Sequence, residues 1–270
     1  MGRESFSSRE VARPSAVWRA FQDMALRASD SAGWTPARYR QEGVGFVLRR
    51  MTARHHREIL FGDTLRGRTW ISAVKKGIFF TRQVSLEDGG GPVAIARQEW
   101  VHIRRDMTIV PCGEALLNAF GIHGETLPVD LPSLNEEPFT PTAPHTMAFR
   151  CWHVWMDPLA HANHPLYVDF ADEAIARMVA EVGGEPDQTV AEAEEIAFRS
   201  GISAPDEVVL STVLHGQTEE GALIFRHRME RNGSLAATAL LVRRMPEATR
   251  CAMVERFGGG RDMAPRGGER

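Results

Sequence analysis

The chain has little cysteine and almost no lysine. Its 270 residues carry 3 cysteines, Cys112, Cys151 and Cys251, at wide spacings and with no CxxC pair. That excludes a zinc knuckle built on paired thiolates and a thioredoxin-type redox couple. Lysine occurs only at Lys75 and Lys76, and every other basic residue is arginine. We read this bias as codon usage in a GC-rich genome rather than as phosphate recognition. No apolar run approaches the roughly 18 residues of a membrane span. The opening residues MGRESFSSREVARPS lack the apolar stretch of a secretory signal, so we expect a cytoplasmic protein. Neither sign of charge dominates: Lys plus Arg is 32, Asp plus Glu is 35, and the net charge is −3. Nucleic-acid binding, which needs a concentrated basic surface, is therefore not expected. A G-x-S-x-G elbow is missing, which excludes an α/β-hydrolase nucleophile. Gly43-Val44-Gly45 lacks the third glycine and the βαβ setting of a dinucleotide loop.

What is present, 43% hydrophobic and 25% charged residues, is globular composition. The length suits one large domain or two of roughly 130 residues. Pro128, Pro132, Pro138, Pro141 and Pro144 stand among acidic and polar residues, a density that no helix or central strand tolerates. We assign 126–147 as a linker and 258–270, GGGRDMAPRGGER, as a disordered tail. Two blocks remain, 1–125 and 148–257, and they follow one plan. In the first, Trp18, Phe21, Ala25, Ala28 and Ala32 recur at helical steps after Pro14, with Ser15 as the expected N-cap. Strands are expected at Gly45–Met51, Asp63–Val74, Gly77–Glu87 and Pro92–Arg104, with turns at Lys76-Gly77 and Asp88–Gly91. In the second, Asn163 is a candidate cap and Pro165 opens a helix marked by Leu166, Phe170, Ala174, Met178 and Val182. Strands follow at Thr189–Ser200, Glu207–Thr218, Ala222–Arg231 and Leu235–Arg243. One long helix and an antiparallel meander, twice over at an offset near 140 residues, predict an α+β double hotdog: two long helices, each wrapped by a curved antiparallel sheet.

Two stretches carry a more specific resemblance. The first is Phe46-Val47-Leu48-Arg49-Arg50-Met51, then Phe61-Gly62-Asp63-Thr64-Leu65, then Thr69-Trp70 and Trp100-Val101. It resembles the acyl-ACP thioesterase family, whose first hotdog has a "WVL-R" strand, a "P-x-GD" turn, a "TW" strand end and a later Trp-Val pair. The second is Asp157-Pro158-Leu159-Ala160-His161-Ala162-Asn163-His164-Pro165-Leu166-Tyr167. It is similar to the D-x3-H-x-N-x3-Y signature of hotdog thioesterases, found in the second hotdog of acyl-ACP thioesterases. Order and spacing agree across roughly residues 10–255. Three places depart from the pattern. Leu159 stands where plant-type members have Asn, Ala160 where many have Gly, and His164 where a second Asn is usual. A supporting glutamate on the next strand has no clear counterpart; Ser200 falls near its place, with Glu192, Glu194 and Glu195 just upstream.

The resemblance implies hydrolysis of fatty or related acyl thioesters of acyl carrier protein or CoA, in fatty acid metabolism, without a cofactor. Asp157 is then nucleophile or base, His161 orients water or the carboxylate, and Asn163 holds substrate or caps the helix. Backbone N–H groups at the helix N-terminus would meet the developing oxyanion. Tyr167 is a substrate contact or a packing residue. Block one has no Asp and His at the matching spacing, so we expect one working site, with Trp18, Phe21, Trp34, Phe79 and Phe80 as acyl-wall or core residues. Lys75-Lys76 and Arg54-His55-His56-Arg57 are candidate contacts for substrate phosphates, the latter otherwise a solvated strand end. His145, His153, His161 and His164 fit no standard metal spacing. Two rival readings remain open: a hotdog hydratase or dehydratase, for which His161 and Tyr167 occupy the places of the required Asp and His, and a non-catalytic acyl-binding module. Both a single pseudo-dimeric chain and a homodimer are compatible with the sequence.

Overall fold

The structure, a computed structural model, describes residues 1–135, 137–140 and 142–259, so the expected tail lies outside the described residues from Gly260 onward. Helix α1 (Pro14–Ser31) starts at a proline whose fixed φ suits the first helical position. Pro14 sets that start two residues earlier than expected, so Arg13 rather than Ser15 takes the N-cap place. Ser15 is fully buried and accepts from Arg19 Nη1 at 3.0 Å instead of capping. A seven-residue helix, α2 (Pro36–Glu42), leads into β1 (Val44–His55), β2 (Arg66–Lys75), β3 (Phe79–Asp88) and β4 (Gly91–Arg104). After α3 (Glu114–Ala119) come β5 (His145–Arg150), the second long helix α4 (Leu166–Glu181), β6 (Val190–Phe198), β7 (Glu207–Gln217), β8 (Leu223–Arg231), β9 (Ser234–Arg244) and α5 (Glu247–Phe257). Asp63, expected to open a strand, instead accepts from Leu60 N–H at 3.0 Å and pairs with Arg57. That turn delays β2 to Arg66.

Among the described residues, nine strands form one antiparallel sheet in the order β2-β3-β4-β1-β6-β9-β8-β7-β5. The seam between the halves is β1 against β6, with Arg50–Arg54 opposite Ala193–Ala197. The repeat is visible in the irregularities. Bulges after Leu48, Ile71 and Leu86 recur after Ala191, Leu214 and Met229, 143 residues later each time (48 to 191, 71 to 214, 86 to 229). The loops before the long helices also correspond, 150 residues apart. Phe6 bridges Ala12 with Glu10 at φ 59°, and Met156 bridges Ala162 with Ala160 at φ 59°. The seven-residue difference equals the length of α2, which the second half lacks.

One core joins both helices to both half-sheets, from Trp18 and Phe21 on α1 to Tyr167, Phe170 and Met178 on α4. A smaller cluster of Trp34, Phe80, Leu116 and Phe120 lies under α2 and α3. The proline-rich stretch hugs both halves. Leu127 N–H reaches Gln83 Oε1, while Asn135 and Phe139 N–H reach the β7 carbonyls of Gln217 and His215. Strand β5 begins inside the residues assigned to the linker. No helix among the described residues is long and apolar enough to cross a membrane.

Candidate active site

The signature of the second half folds into a tight turn just before α4. Asp157 N–H donates to His161 C=O at 2.7 Å, and Ala160 N–H to Asp157 C=O at 2.9 Å. Asp157 Oδ1 accepts the N–H groups of Leu159 at 2.7 Å and His161 at 3.3 Å. This is an Asx turn, which a carboxylate favours, and it leaves Oδ2 without a protein partner among the described residues. The His161 ring lies where a Cβ on residue 201 would stand, so only a glycine at Gly201 admits it. Ser200, near the place of the expected glutamate, bonds only weakly to Leu235 C=O at 3.5 Å.

Asn163 does not cap α4. Its carbonyl accepts Leu166 N–H, and its side chain turns across to α1, where it forms a reciprocal amide pair with Gln22 at 2.9 and 3.0 Å. The N–H groups of Leu166, Tyr167 and Val168 are taken by carbonyls three residues back. Between 159 and 168, His164 N–H is the one backbone donor without a partner among the described residues. Its imidazole is packed among Trp18, Trp100 and Phe198, at centroid distances of 6.3, 6.1 and 6.2 Å. Nε2 has no hydrogen-bond partner among the described residues, and burial pushes this histidine down to about 3. It stays neutral at physiological pH.

Of the substrate-contact candidates, Trp18 and Phe21 are wholly buried and form the inner wall between the halves. Tyr167 is core: it packs on Phe170 and Phe198, accepts Ile202 N–H at 3.1 Å, and is raised to about 12 by burial. Phe79 is half-buried, 5.8 Å from the Arg49 guanidinium. Lys75 and Lys76 are exposed in the β2–β3 hairpin; Phe80, which follows it, pairs with Trp100. The register thus puts the hairpin at the Trp100 end of the sheet. Around the turn, Trp152, Val154 and Leu159 are exposed apolar side chains. Among the described residues, no group of three or more His, Cys, Asp or Glu could hold a metal.

Within Arg54-His55-His56-Arg57, expected to be a solvated strand end or loop, His56 is exposed but His55 departs from that reading. His55 is buried, and its Nε2 lies 2.8 Å from Glu194 Oε2 across the β1–β6 seam. Glu194 is fully buried and also accepts from Trp18 Nε1 at 3.2 Å and Arg243 Nη1 at 2.7 Å. Burial pushes its carboxyl up, but His55 and Arg243 outweigh that and hold it near 2. Arg243 Nη2 lies 2.9 Å from Asp172, whose carboxyl burial raises to about 6 despite that arginine. Gln22, Phe198 and this network were missed because each gains its neighbours only through pairing across the halves. Local spacing carries no signal for that.

Fold and turn together define an α+β hotdog protein. Among solved structures, the chain is similar to a Lactobacillus plantarum protein assigned as an oleoyl thioesterase, at 15% identity and TM-score 0.76, over 92% of this chain and 94% of that one. A 12:0-ACP thioesterase from Umbellularia californica is similar at 16% identity and TM-score 0.74, over 91% and 92%. A MaoC-like dehydratase follows at 12% identity and TM-score 0.58, over 90% and 86%. At such identities the likeness establishes the fold. No protein-family profile matches the sequence, and no curated protein does.

Proposed function

We propose that this chain is a thioester hydrolase that releases fatty or related acyl groups from acyl carrier protein or CoA. The observation that carries the reading is the Asp157 turn. One carboxylate oxygen is tied down by two backbone N–H groups, and the other has no partner among the described residues, seven residues before a His164 ring packed among Trp18, Trp100 and Phe198. In this reading Asp157 Oδ2 activates water or attacks the carbonyl carbon, His164 N–H meets the oxyanion, and His161 orients the reacting groups. Asn163 and Gln22 fix the turn against α1. The first half, 1–125, supplies the acyl wall and 148–257 the reactive turn, with 126–147 joining them. The thioesterases among the similar structures support this substrate class. We place the protein in the cytoplasm, with fatty acid metabolism as its setting, as a single chain or a homodimer.

The rival hydratase reading needs an acid–base pair where His161 and the core residue Tyr167 stand. Thiol release from a panel of acyl-ACP and acyl-CoA substrates, measured beside hydration of crotonyl-CoA, separates the two. Asp157→Asn keeps the size of the side chain and removes its charge. We expect kcat for long-chain thioesters to fall at least roughly 10²-fold with KM little changed. Near-wild-type hydrolysis by the folded variant would remove Asp157 from the mechanism.

A further inference from the structure

The fold has a second loop of the same kind, and the end of the seam that it faces is chemically unlike the first. Residues Phe6–Ala12 repeat the turn of Met156–Ala162, with Ser7 in the place of Asp157 and Val11 in that of His161. A cleft of about 320 Å³ opens in front of α1, between this loop, the α4 face carrying Asp172 and Ala176, and the seam residues His55, Ala191 and Arg243. By the 143-residue repeat, His55, Glu194 and Arg243 correspond to Phe198, Met51 and Trp100. The first end of the seam is thus closed by two aromatics and a methionine, and the same backbone positions at the second end carry a histidine, a carboxylate and a guanidinium.

That contrast decides between a structural and a chemical role. Burying such a cluster carries a heavy desolvation cost for each ion, and well-packed apolar residues usually serve stability as well or better. Here the fold itself supplies the control, because its other end does the same job without charge. The His55–Glu194 geometry is that of an oriented base. The carboxylate takes Nε2 at 2.8 Å, which fixes the tautomer with the proton on Nε2. Nδ1, left with its lone pair, has no partner among the described residues, and His55 borders the cleft. Arg13, at the N-cap of α1 and on the cleft wall, makes no ion pair among the described residues.

We propose that this cleft is a second reaction centre, in which His55, held by Glu194, is the general base for hydrolysis of thioesters with small acyl groups. The substrate class rests on the hydrolase reading above, but none of the residues do. His55 Nδ1 takes a proton from water as the water oxygen bonds to the carbonyl carbon. The C–S bond then breaks, and the imidazolium returns the proton to the departing thiolate, giving a carboxylic acid and a thiol with no redox partner. The cleft is small and walled by Val11, Val17 and Ile175 beside its charges, which restricts the acyl group to a few carbons.

The test uses the full chain with acetyl-, butyryl- and palmitoyl-CoA. His55→Gln should lower kcat for the short thioesters at least roughly 10²-fold with KM little changed, and spare palmitoyl-CoA. Ala176→Phe fills the cleft from α4 without touching the pair, and should abolish short-chain hydrolysis in a protein of unaltered melting temperature. In His55→Ala, added imidazole should restore turnover, which a merely structural histidine would not allow. Wild-type short-chain rates in His55→Gln, or in a folded Ala176→Phe should the first variant not fold, would overturn the proposal. If Asp157→Asn is silent while His55→Gln is not, the Asp157 mechanism fails and this centre stands. If both are silent, both fail.

Discussion

At the scale of single residues, buried histidines set the acid stability of this protein. His227 on β8 is wholly enclosed, its Nδ1 2.9 Å from Thr212 Oγ1, and His164 sits in its aromatic recess; burial brings both down to about 3. Their native forms are neutral, whereas the unfolded chain takes up protons below about 6.5. More protons are then bound by the unfolded state, so stability falls as pH drops from 6.5 towards 3. Asp172 acts in the opposite sense. Its carboxyl is raised to about 6, so its contribution is fully present below its unfolded value and is lost as pH rises through 6. We expect each histidine to remove about 2 kcal/mol between pH 7 and pH 5. His227→Asn keeps a partner for Thr212 and should flatten the pH dependence of the urea midpoint by that amount. An unchanged slope would mean that His227 is protonated in the native state.

At the scale of elements, the β2–β3 hairpin makes a separable prediction. It is braced from behind by Cys112 N–H on Gly77 C=O at 2.8 Å, and it turns both lysines of the chain outward. Reversing both charges, Lys75→Glu with Lys76→Glu, should lower kcat/KM for carrier-linked substrates several-fold at low salt and little at high salt. An equal loss on short free thioesters would show that the hairpin does not dock a carrier. Elements are also where the sequence was most legible. The long helices and eight of the strands announce themselves by period and punctuation, because each buries one face along many residues. The short elements α2 and α3 offer too few turns for a period to register. Strand β5 was hidden by the prolines before it, and α5, buried only at Met253 and Phe257, has almost no apolar stripe. The stretch around Asp157 stood out in the sequence because the signature it resembles is contiguous, although the Asx turn it forms was not anticipated. The His55–Glu194 pair did not stand out, because 139 residues separate its members and only the seam register joins them.

At the scale of the molecule, neither half is expected to stand alone. The seam strands β1 and β6 each pair on both sides, and Trp18 of one half donates to Glu194 of the other. Severed in the stretch between the halves, fragments 1–132 and 133–259 should each be poorly folded singly and should recover the native circular dichroism when mixed in equal amounts. A fragment that folds alone as a stable monomer would contradict the shared core. The antiparallel seam has a further consequence for how this chain changes over time. A duplicated unit ordinarily frees one copy to drift while the other keeps the original task. Here each end of the seam takes its loop from one half and part of its wall from the other, so neither half holds either end outright. The arginine at 243 belongs to the second half's sheet but faces the first half's loop, and Trp100 does the reverse. One end of the seam is closed by aromatic side chains and the other carries a histidine, a carboxylate and a guanidinium, so a substitution at either end is felt in both halves of the chain.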